Sequence, residues 1–125
     1  MSTRAIIALP TEGGYNTAWC WNDGGPQNLG RELRTYFKEE WLVKLLIEEH
    51  SFSSIWGPKT IKEYMLKDDT AVVLPNVRFL LKHPHNGKVV AGSGEYGFFS
   101  DVKEMLEQDI NYVYVFENGK WKTYK

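Results

Sequence analysis

The chain has 125 residues, of which 15 are lysine or arginine and 16 are aspartate or glutamate. This length fits one domain, and the near-neutral charge gives no strong case for nonspecific DNA binding. No apolar stretch approaches the roughly 20 residues of a membrane span, and the single cysteine, Cys20, excludes an internal disulfide.

The first half of the chain predicts a β-hairpin followed by helices. Apolar residues 5–9, a turn at 10–14 and alternating residues 15–21 predict two paired strands. The apolar run is too short for the core of a signal peptide, so we expect a cytoplasmic protein. Helical spacing of apolar residues predicts a helix after Pro26, a second helix over 39–49, a loop over 51–58 and a short helix over 59–66. The second helix is expected to bury Trp41, Leu42, Leu45, Leu46 and Ile47.

The second half predicts strands with hairpin turns and one further helix. Strands are expected over 71–74, 77–82, 88–91, 112–116 and 120–124. The pairs Asn86-Gly87 and Asn118-Gly119 are strong hairpin signals, and Asp101 has the spacing to cap a helix that ends near Gln108. We therefore predict a single α+β domain over residues 1–125, with a mostly antiparallel sheet built from hairpins and two or three helices packed on one face.

One glycine motif resembles a dinucleotide-binding sequence but lacks its context. Residues 92–97 spell G-x-G-x-x-G, and Glu117 follows at the distance of a ribose-binding acid. In a dinucleotide site, however, a helix begins within the glycine turn. Here Phe98 and Phe99 separate the glycines from the expected helix cap at Asp101. We interpret the segment as a loop or a strand and predict no cofactor.

The histidines and the cysteine give little support for a reaction centre. His83 and His85 lie two residues apart, but zinc needs three or four ligands. His50 and Asp101 are distant partners without a metal-ligand spacing, so no metal site is predicted. Cys20 lies between two tryptophans near an acid, which favours a buried structural thiol over a nucleophile.

The stretch from Trp19 to Gly30 is the strongest candidate for a functional site. Asp23-Gly24-Gly25-Pro26 predicts a turn with a glycine at positive φ, and the following helix is expected to present free amide donors at residues 27–30. Aromatic faces nearby would stack on a planar ligand, and the amides would attract an anion. The alternative is that the tryptophans pack under the helices and Asp23 caps the turn. The candidate ligand-binding residues are Trp19, Trp21, Asp23, Gly24, Gly25, Asn28, Arg31 and Arg34.

Trp56 is a second candidate contact point. It precedes Gly57-Pro58 in the expected loop. A tryptophan in this position either covers the core or anchors a partner.

The chain also resembles a family of small bacteriophage and prophage accessory proteins whose function is uncharacterised. The similarity covers the start Met1-Ser2-Thr3-Arg4, the segment Trp19-Cys20-Trp21-Asn22-Asp23-Gly24-Gly25-Pro26, then Leu29-Gly30 and residues 33–36, and the end from Tyr112 to Trp121. The family has Tyr-Cys-His-Trp-Asp-Gly-Tyr-Pro in the middle and Tyr-Val-Tyr-Val-Phe-Glu-x-Gly-x-Trp at the end. Its His-Trp is Trp21-Asn22 here and its second aromatic is Gly25, which weakens an enzymatic interpretation.

These observations predict a phage or mobile-element protein that acts by binding and is not an enzyme. The resemblance and the aromatic stretch from Trp19 to Gly30 suggest a host-defence antagonist that either binds a defence protein or sequesters a nucleotide signal. Two alternatives stay open, namely a small enzyme acting on a nucleotide or modified base through Asp23, and a structural component of a phage assembly. Self-association also stays open, and no membrane partner is expected.

Overall fold

The computed structural model describes residues 3–56, 71–74, 79–82 and 97–125. In chain order its elements are β1 (Ala5–Thr11), β2 (Gly14–Cys20), a π-helical segment (Pro26–Gly30), α1 (Arg31–Tyr36), α2 (Glu40–Ile47), β3 (Ser51–Phe52), β4 (Ser54–Trp56), β5 (Ala71–Leu74), β6 (Phe79–Lys82), β7 (Phe98–Phe99), α3 (Val102–Leu106), β8 (Tyr112–Glu117) and β9 (Lys120–Tyr124). Within these residues, no helix is long and apolar enough to cross a membrane.

The larger sheet is mixed, so the prediction of a mostly antiparallel sheet is wrong, although the α+β class is confirmed. Its strands lie in the order β3-β2-β1-β8-β9, and β7 also pairs with β2. The predicted hairpins β1–β2 and β8–β9 are antiparallel, whereas β1 pairs with β8 and β2 pairs with β3 in parallel. The chain passes through α1 and α2 between β2 and β3, which is the kind of long connection that parallel strands require.

A smaller sheet has the order β4-β6-β5, with both pairs antiparallel. It confirms strand structure over 71–74 and over 79–82 of the two predicted central strands. The prediction of a loop over 51–58 is wrong, because β3 and β4 occupy residues 51–56. These strands are short and rich in serine, so they carry little of the apolar alternation that identifies a strand. The helix expected over 59–66, the turn over 83–87 and the strand over 88–91 lie outside the described residues.

Two buried clusters lie on opposite faces of the larger sheet. Alternate residues of β1 divide between them, with Ile6 and Ala8 on one face and Ala5, Ile7 and Leu9 on the other. The α1–α2 face also buries Leu29, Leu33, Phe37, Val43, Leu46, Ile47, Phe52, Tyr114 and Phe116. The α3 face buries Trp19, Met105, Val113 and Val115. The prediction that two or three helices pack on one face therefore holds for α1 and α2, whereas α3 packs on the opposite face.

The start of α3 confirms the predicted cap. The Asp101 carboxylate accepts a hydrogen bond from the backbone amide of Glu104 at 2.9 Å. The Glu104 carboxylate in turn accepts from the backbone amide of Ser100 at 2.9 Å, one residue before the cap. The first bond satisfies an amide that the first turn of a helix leaves without a partner, and the second ties the residue before the cap to the same turn. The helix ends at Leu106, two residues short of the predicted end.

Candidate functional site

Both tryptophans of the predicted corner lie on the α3 face of the sheet. Trp19 is only 6% exposed, and its ring centre is 5.4 Å from that of Trp21 and 6.4 Å from that of Phe99. Trp21 is half-buried, and its indole N–H donates to Ser51 Oγ at 2.8 Å. The guanidinium of Arg4 lies 5.8 Å from the Trp21 ring centre. The indoles thus pack against the rest of the protein on the α3 face, on the side of the sheet opposite to α1 and α2.

The helical part of the corner packs on the opposite face. Leu29 and Leu33 belong to the α1–α2 cluster, and they fix the segment that carries Asn28, Arg31 and Arg34. Arg34 also folds back on this segment, because its Nη2 donates to the Pro26 carbonyl at 3.1 Å. The structure therefore does not bring the two tryptophans together with Arg31 and Arg34, since the sheet lies between them.

Residues 22–34, called here the corner loop, comprise a bend, the π-helical segment and the start of α1, and they are bonded to three separate parts of the chain. Asn22 donates to Ser53 twice, from its backbone amide to the carbonyl and from Nδ2 to Oγ, both at 2.7 Å. The Gly24 amide donates to the Thr3 carbonyl at 3.0 Å. From beneath, the buried hydroxyl of Tyr114 donates to the Gly24 carbonyl at 2.7 Å. These contacts hold the base of the loop in one position.

The glycines of the loop do not have the predicted backbone conformation. The residue with positive φ is Asp23, at 55°, whereas Gly25 is extended with φ of −75°. Aspartate tolerates this left-handed region better than most side chains. Gly24 is required for another reason, because a Cβ atom there would lie 3.0 Å from Ala5 Cβ and from the Thr3 carbonyl oxygen. A Cβ atom at Gly25 would meet nothing within 4 Å.

The amides of the loop are largely used inside it, so the prediction of free donors is wrong for three of the four residues. The amides of Asn28 and Gly30 donate to the Gly25 carbonyl, and the amide of Leu29 donates to the Asp23 carbonyl, all at 3.1 Å. The bond from Gly30 to Gly25 spans five residues and defines the π-helical turn. An anion would have to compete with these carbonyls for the donors.

The tip of the corner loop presents polar side chains to solvent. Asp23, Asn28, Arg31 and Arg34 are all exposed. The Asp23 carboxylate forms no ion pair with any described residue, and Arg31 approaches only Glu32, at 3.8 Å. The loop thus combines a fixed backbone with an acid, an amide and a guanidinium that are available to a partner.

Cys20 is confirmed as a buried thiol. It is 1% exposed, and its Sγ donates to the Asn22 carbonyl at 3.1 Å. Burial raises the pKa of the Cys20 thiol to about 12, and the nearby Asp23 charge acts in the same direction. A thiol with this pKa carries almost no thiolate at neutral pH, so it is a poor nucleophile.

The other sequence motifs are only partly described. Within the described residues, no group of three or more histidine, cysteine or acidic side chains is arranged to hold a metal ion. His83, His85 and residues 92–96 of the glycine motif lie outside them. Gly97 has φ of +99°, and its carbonyl accepts a hydrogen bond from the Thr17 amide at 2.8 Å. Trp56 ends β4, and its role as a partner contact stays a prediction.

Sequence reasoning placed one aromatic residue on the wrong side of a helix. Trp41 was expected in the apolar stripe of α2, but it is 48% exposed and its indole N–H donates to the Glu39 carboxylate. The buried stripe of α2 consists of Val43, Leu46 and Ile47. Trp41 lies two residues before Val43, about 200° around the helix, and therefore faces away from the core. Tyr36 and Phe98 are the other large exposed aromatics among the described residues.

The structure also contains an open cleft that no sequence motif indicated. It has a volume of about 520 Å³ and is lined by residues 9–10 at the end of β1, by Lys38 and Glu40 at the start of α2, and by residues 116–119 at the turn between β8 and β9. None of the predicted site residues lines it. Its walls come from three distant parts of the sequence, so no local pattern could reveal it.

Comparison with protein-family models, with curated proteins and with solved structures finds no significant match to this chain. The case for a function therefore depends on the corner loop, the cleft and the exposed side chains around them.

Proposed function

We propose that this protein is an accessory protein of a phage or mobile element that acts in the host cytoplasm by binding a host protein through the corner loop, and that it antagonises host defence in this way. The observation that carries the proposal is the anchored loop itself. Its base is fixed by Ser53, Thr3 and Tyr114, while Asp23, Asn28 and Arg31 are exposed at its tip. A loop ordered before binding loses less conformational entropy when it meets a partner.

Two features of the loop support a functional role over a purely structural one. Asp23 adopts a left-handed backbone conformation, and the following segment forms a π-helical turn. Left-handed residues and π-helical turns are both less stable than regular structure, and both are frequent at functional sites. The resemblance to phage accessory proteins includes this same segment and supplies the expected biological setting.

The geometry favours a protein partner over a nucleotide. Stacking of a base would need an open indole face, but Trp19 is buried and the half-buried Trp21 ring already lies against Trp19 and Arg4. The backbone amides of Asn28, Leu29 and Gly30, which were expected to take a phosphate, already donate to carbonyls of the loop. The exposed carboxylate of Asp23 and the exposed guanidinium of Arg31 suit electrostatic contacts across a protein interface.

Co-purification with loop variants tests the proposal. Tagged protein is expressed in a bacterial host, and the recovered host proteins are quantified for the unmodified chain, for Asp23→Asn and for Arg31→Gln. Asparagine keeps the tolerance for positive φ, so Asp23→Asn removes the charge without straining the turn. A host protein recovered in near-stoichiometric amount is expected to fall by about tenfold or more in both variants, as is typical when a residue central to an interface is changed.

Matched controls lie on the other side of the molecule. Lys103→Gln and Glu107→Gln remove one charge of each sign from exposed positions on and beside α3. They should leave the recovery unchanged. The proposal fails if the loop variants and the α3 variants behave alike. Titration calorimetry with cyclic and linear nucleotides tests the alternative that the protein sequesters a nucleotide signal. A binding heat that is seen with the unmodified chain and lost in the Arg31→Gln variant would favour a nucleotide over a protein partner.

A further inference from the structure

The cleft lies at the end of the larger sheet that is opposite to the corner loop. The loop contacts the start of β1 through Thr3 and Ala5, whereas the cleft is lined by residues 9–10 near the other end of this strand. The rise of an extended chain places the two regions roughly 20 Å apart. The cleft is therefore separate from the corner loop, which we propose binds the host protein.

The position of the cleft in the sheet is typical of ligand sites. Strands β1 and β8 are parallel neighbours, and residues near the carboxyl ends of both, at 9–10 and at 116–117, line the cleft. In sheets with parallel strands, ligands commonly bind in the crevice outside these carboxyl ends. The volume of about 520 Å³ falls within the roughly 300–1,000 Å³ of small-molecule sites.

Of the three charged side chains that line the cleft, two form ion pairs among the described residues. The carboxylate of Glu40 pairs with Lys44, and that of Glu117 pairs with Lys122, each at 3.3 Å. Lys38 forms no ion pair with any carboxylate in the part of the chain that the structure describes. Its ammonium is therefore the charge at the cleft that is most available to a ligand, and it calls for an anionic group.

The remaining surface of the cleft is partly apolar. Most of the carbon surface beside Lys38 comes from the exposed Pro10, because Leu9 and Phe116, which also line the cleft, are only 7% and 4% exposed. Leu9 and Phe116 belong to the buried α1–α2 cluster, so this wall is firmly packed from behind. The cleft thus offers an apolar wall and one unpaired cation, which together suit a small molecule with an apolar body and a single acidic group.

We propose that this cleft binds a small organic carboxylate, with its apolar body against Pro10 and the accessible edges of Leu9 and Phe116, and its carboxylate beside Lys38. Binding of such a molecule is independent of the host-protein contact proposed for the corner loop. The site differs from the predicted aromatic corner in position, in residues and in ligand class.

Amide chemical-shift titrations with 3-phenylpropionate test the proposal. Saturable shifts are expected at Lys38 and at residues 116–119. The neutral 3-phenylpropanamide, which has nearly the same shape, should bind about two- to fivefold more weakly, the effect of one partly exposed ion pair. Added salt should narrow this difference, because it screens the exposed charge of Lys38.

Variants distinguish an ion pair between the ligand and Lys38 from nonspecific binding in the cleft. Lys38→Gln should reduce the affinity for 3-phenylpropionate to that for the amide, and Glu40→Gln should raise it by removing a nearby negative charge. Lys103→Gln, an equivalent change of an exposed lysine on α3, should have no effect. The proposal is overturned if 3-phenylpropylamine binds the cleft more tightly than the carboxylate, if the shifts at the cleft do not saturate, or if Lys38→Gln leaves the carboxylate affinity unchanged.

Discussion

Removal of a single buried hydroxyl tests whether the corner loop is held from beneath. Tyr114 is 1% exposed, and its hydroxyl donates to the Gly24 carbonyl at 2.7 Å. The variant Tyr114→Phe keeps the ring but leaves this carbonyl without its donor in a buried place. Loss of a buried partner costs about 1–3 kcal/mol. For a chain of this length, each kcal/mol corresponds to roughly 3–5 °C in Tm.

A neighbouring tyrosine provides a matched control for this change. The Tyr112 ring stacks on that of Tyr114, with 6.2 Å between ring centres, but it is only half-buried. Its hydroxyl donates to no group among the described residues. Tyr112→Phe should therefore change the free energy of unfolding by less than about 0.5 kcal/mol.

Urea unfolding followed by tryptophan fluorescence measures both variants, and an unchanged m-value shows that only the stability differs. Hydrogen exchange supplies a local readout, because loosening of the loop should speed exchange of the Gly24, Leu29 and Gly30 amides more than that of amides in β8. If Tyr114→Phe and Tyr112→Phe have equal stabilities and equal exchange rates, the hydroxyl does not anchor the loop.

Three further changes have expected outcomes. Gly24→Ala should lower the free energy of unfolding by about 1–3 kcal/mol, since its Cβ would lie 3.0 Å from Ala5 Cβ, whereas Gly25→Ala has open space and should be neutral in the same urea titration. Asp101→Ala should cost about 1 kcal/mol through loss of the α3 cap, and an unchanged urea midpoint would contradict this. The unfolded thiol of Cys20 ionises near 9.0 and the folded one near 12, so stability should fall as the pH rises between these values, by at most about 1.4 kcal/mol per pH unit. Cys20→Ala should make this fall shallower between pH 9 and 10, and parallel curves would refute the assignment.

Features that depend on near neighbours in the sequence were predicted well. The β8–β9 hairpin follows from Asn118-Gly119, which supply two consecutive residues with positive φ, at 55° and 75°. The cap at Asp101 follows from its spacing to Glu104. The alternation over residues 15–21 predicted a strand, and in β2 it puts Tyr15 and Trp19 on one face with Ala18 and Cys20 on the other. In each case the physical cause acts over a few residues, so the sequence pattern contains it.

Features that depend on distant pairing could not be predicted in the same way. Nothing near Ser51 indicates that it will lie beside Trp19 in a parallel pair, because that contact follows only after α1 and α2 have folded against the sheet. The same reason explains why the packing of α3 on the opposite face and the presence of the cleft were not predicted. The sequence showed that residues at the Trp19–Gly30 corner were unusual, but it could not show that the sheet would divide them.

The division of the corner by the sheet changes the role of its aromatic residues. Trp21 donates a hydrogen bond to Ser51 at the start of β3. Asn22 donates two hydrogen bonds to Ser53, which lies between β3 and β4. The indole therefore helps to fix the segment against which the corner loop is bonded. Because the aromatic surface is used inside the protein, specificity for a partner would have to come from the exposed charges at the tip of the loop. The charges of Asp23 and Arg31 are screened by salt, so contacts at this loop should weaken as ionic strength rises, in contrast to an interface built on exposed indoles.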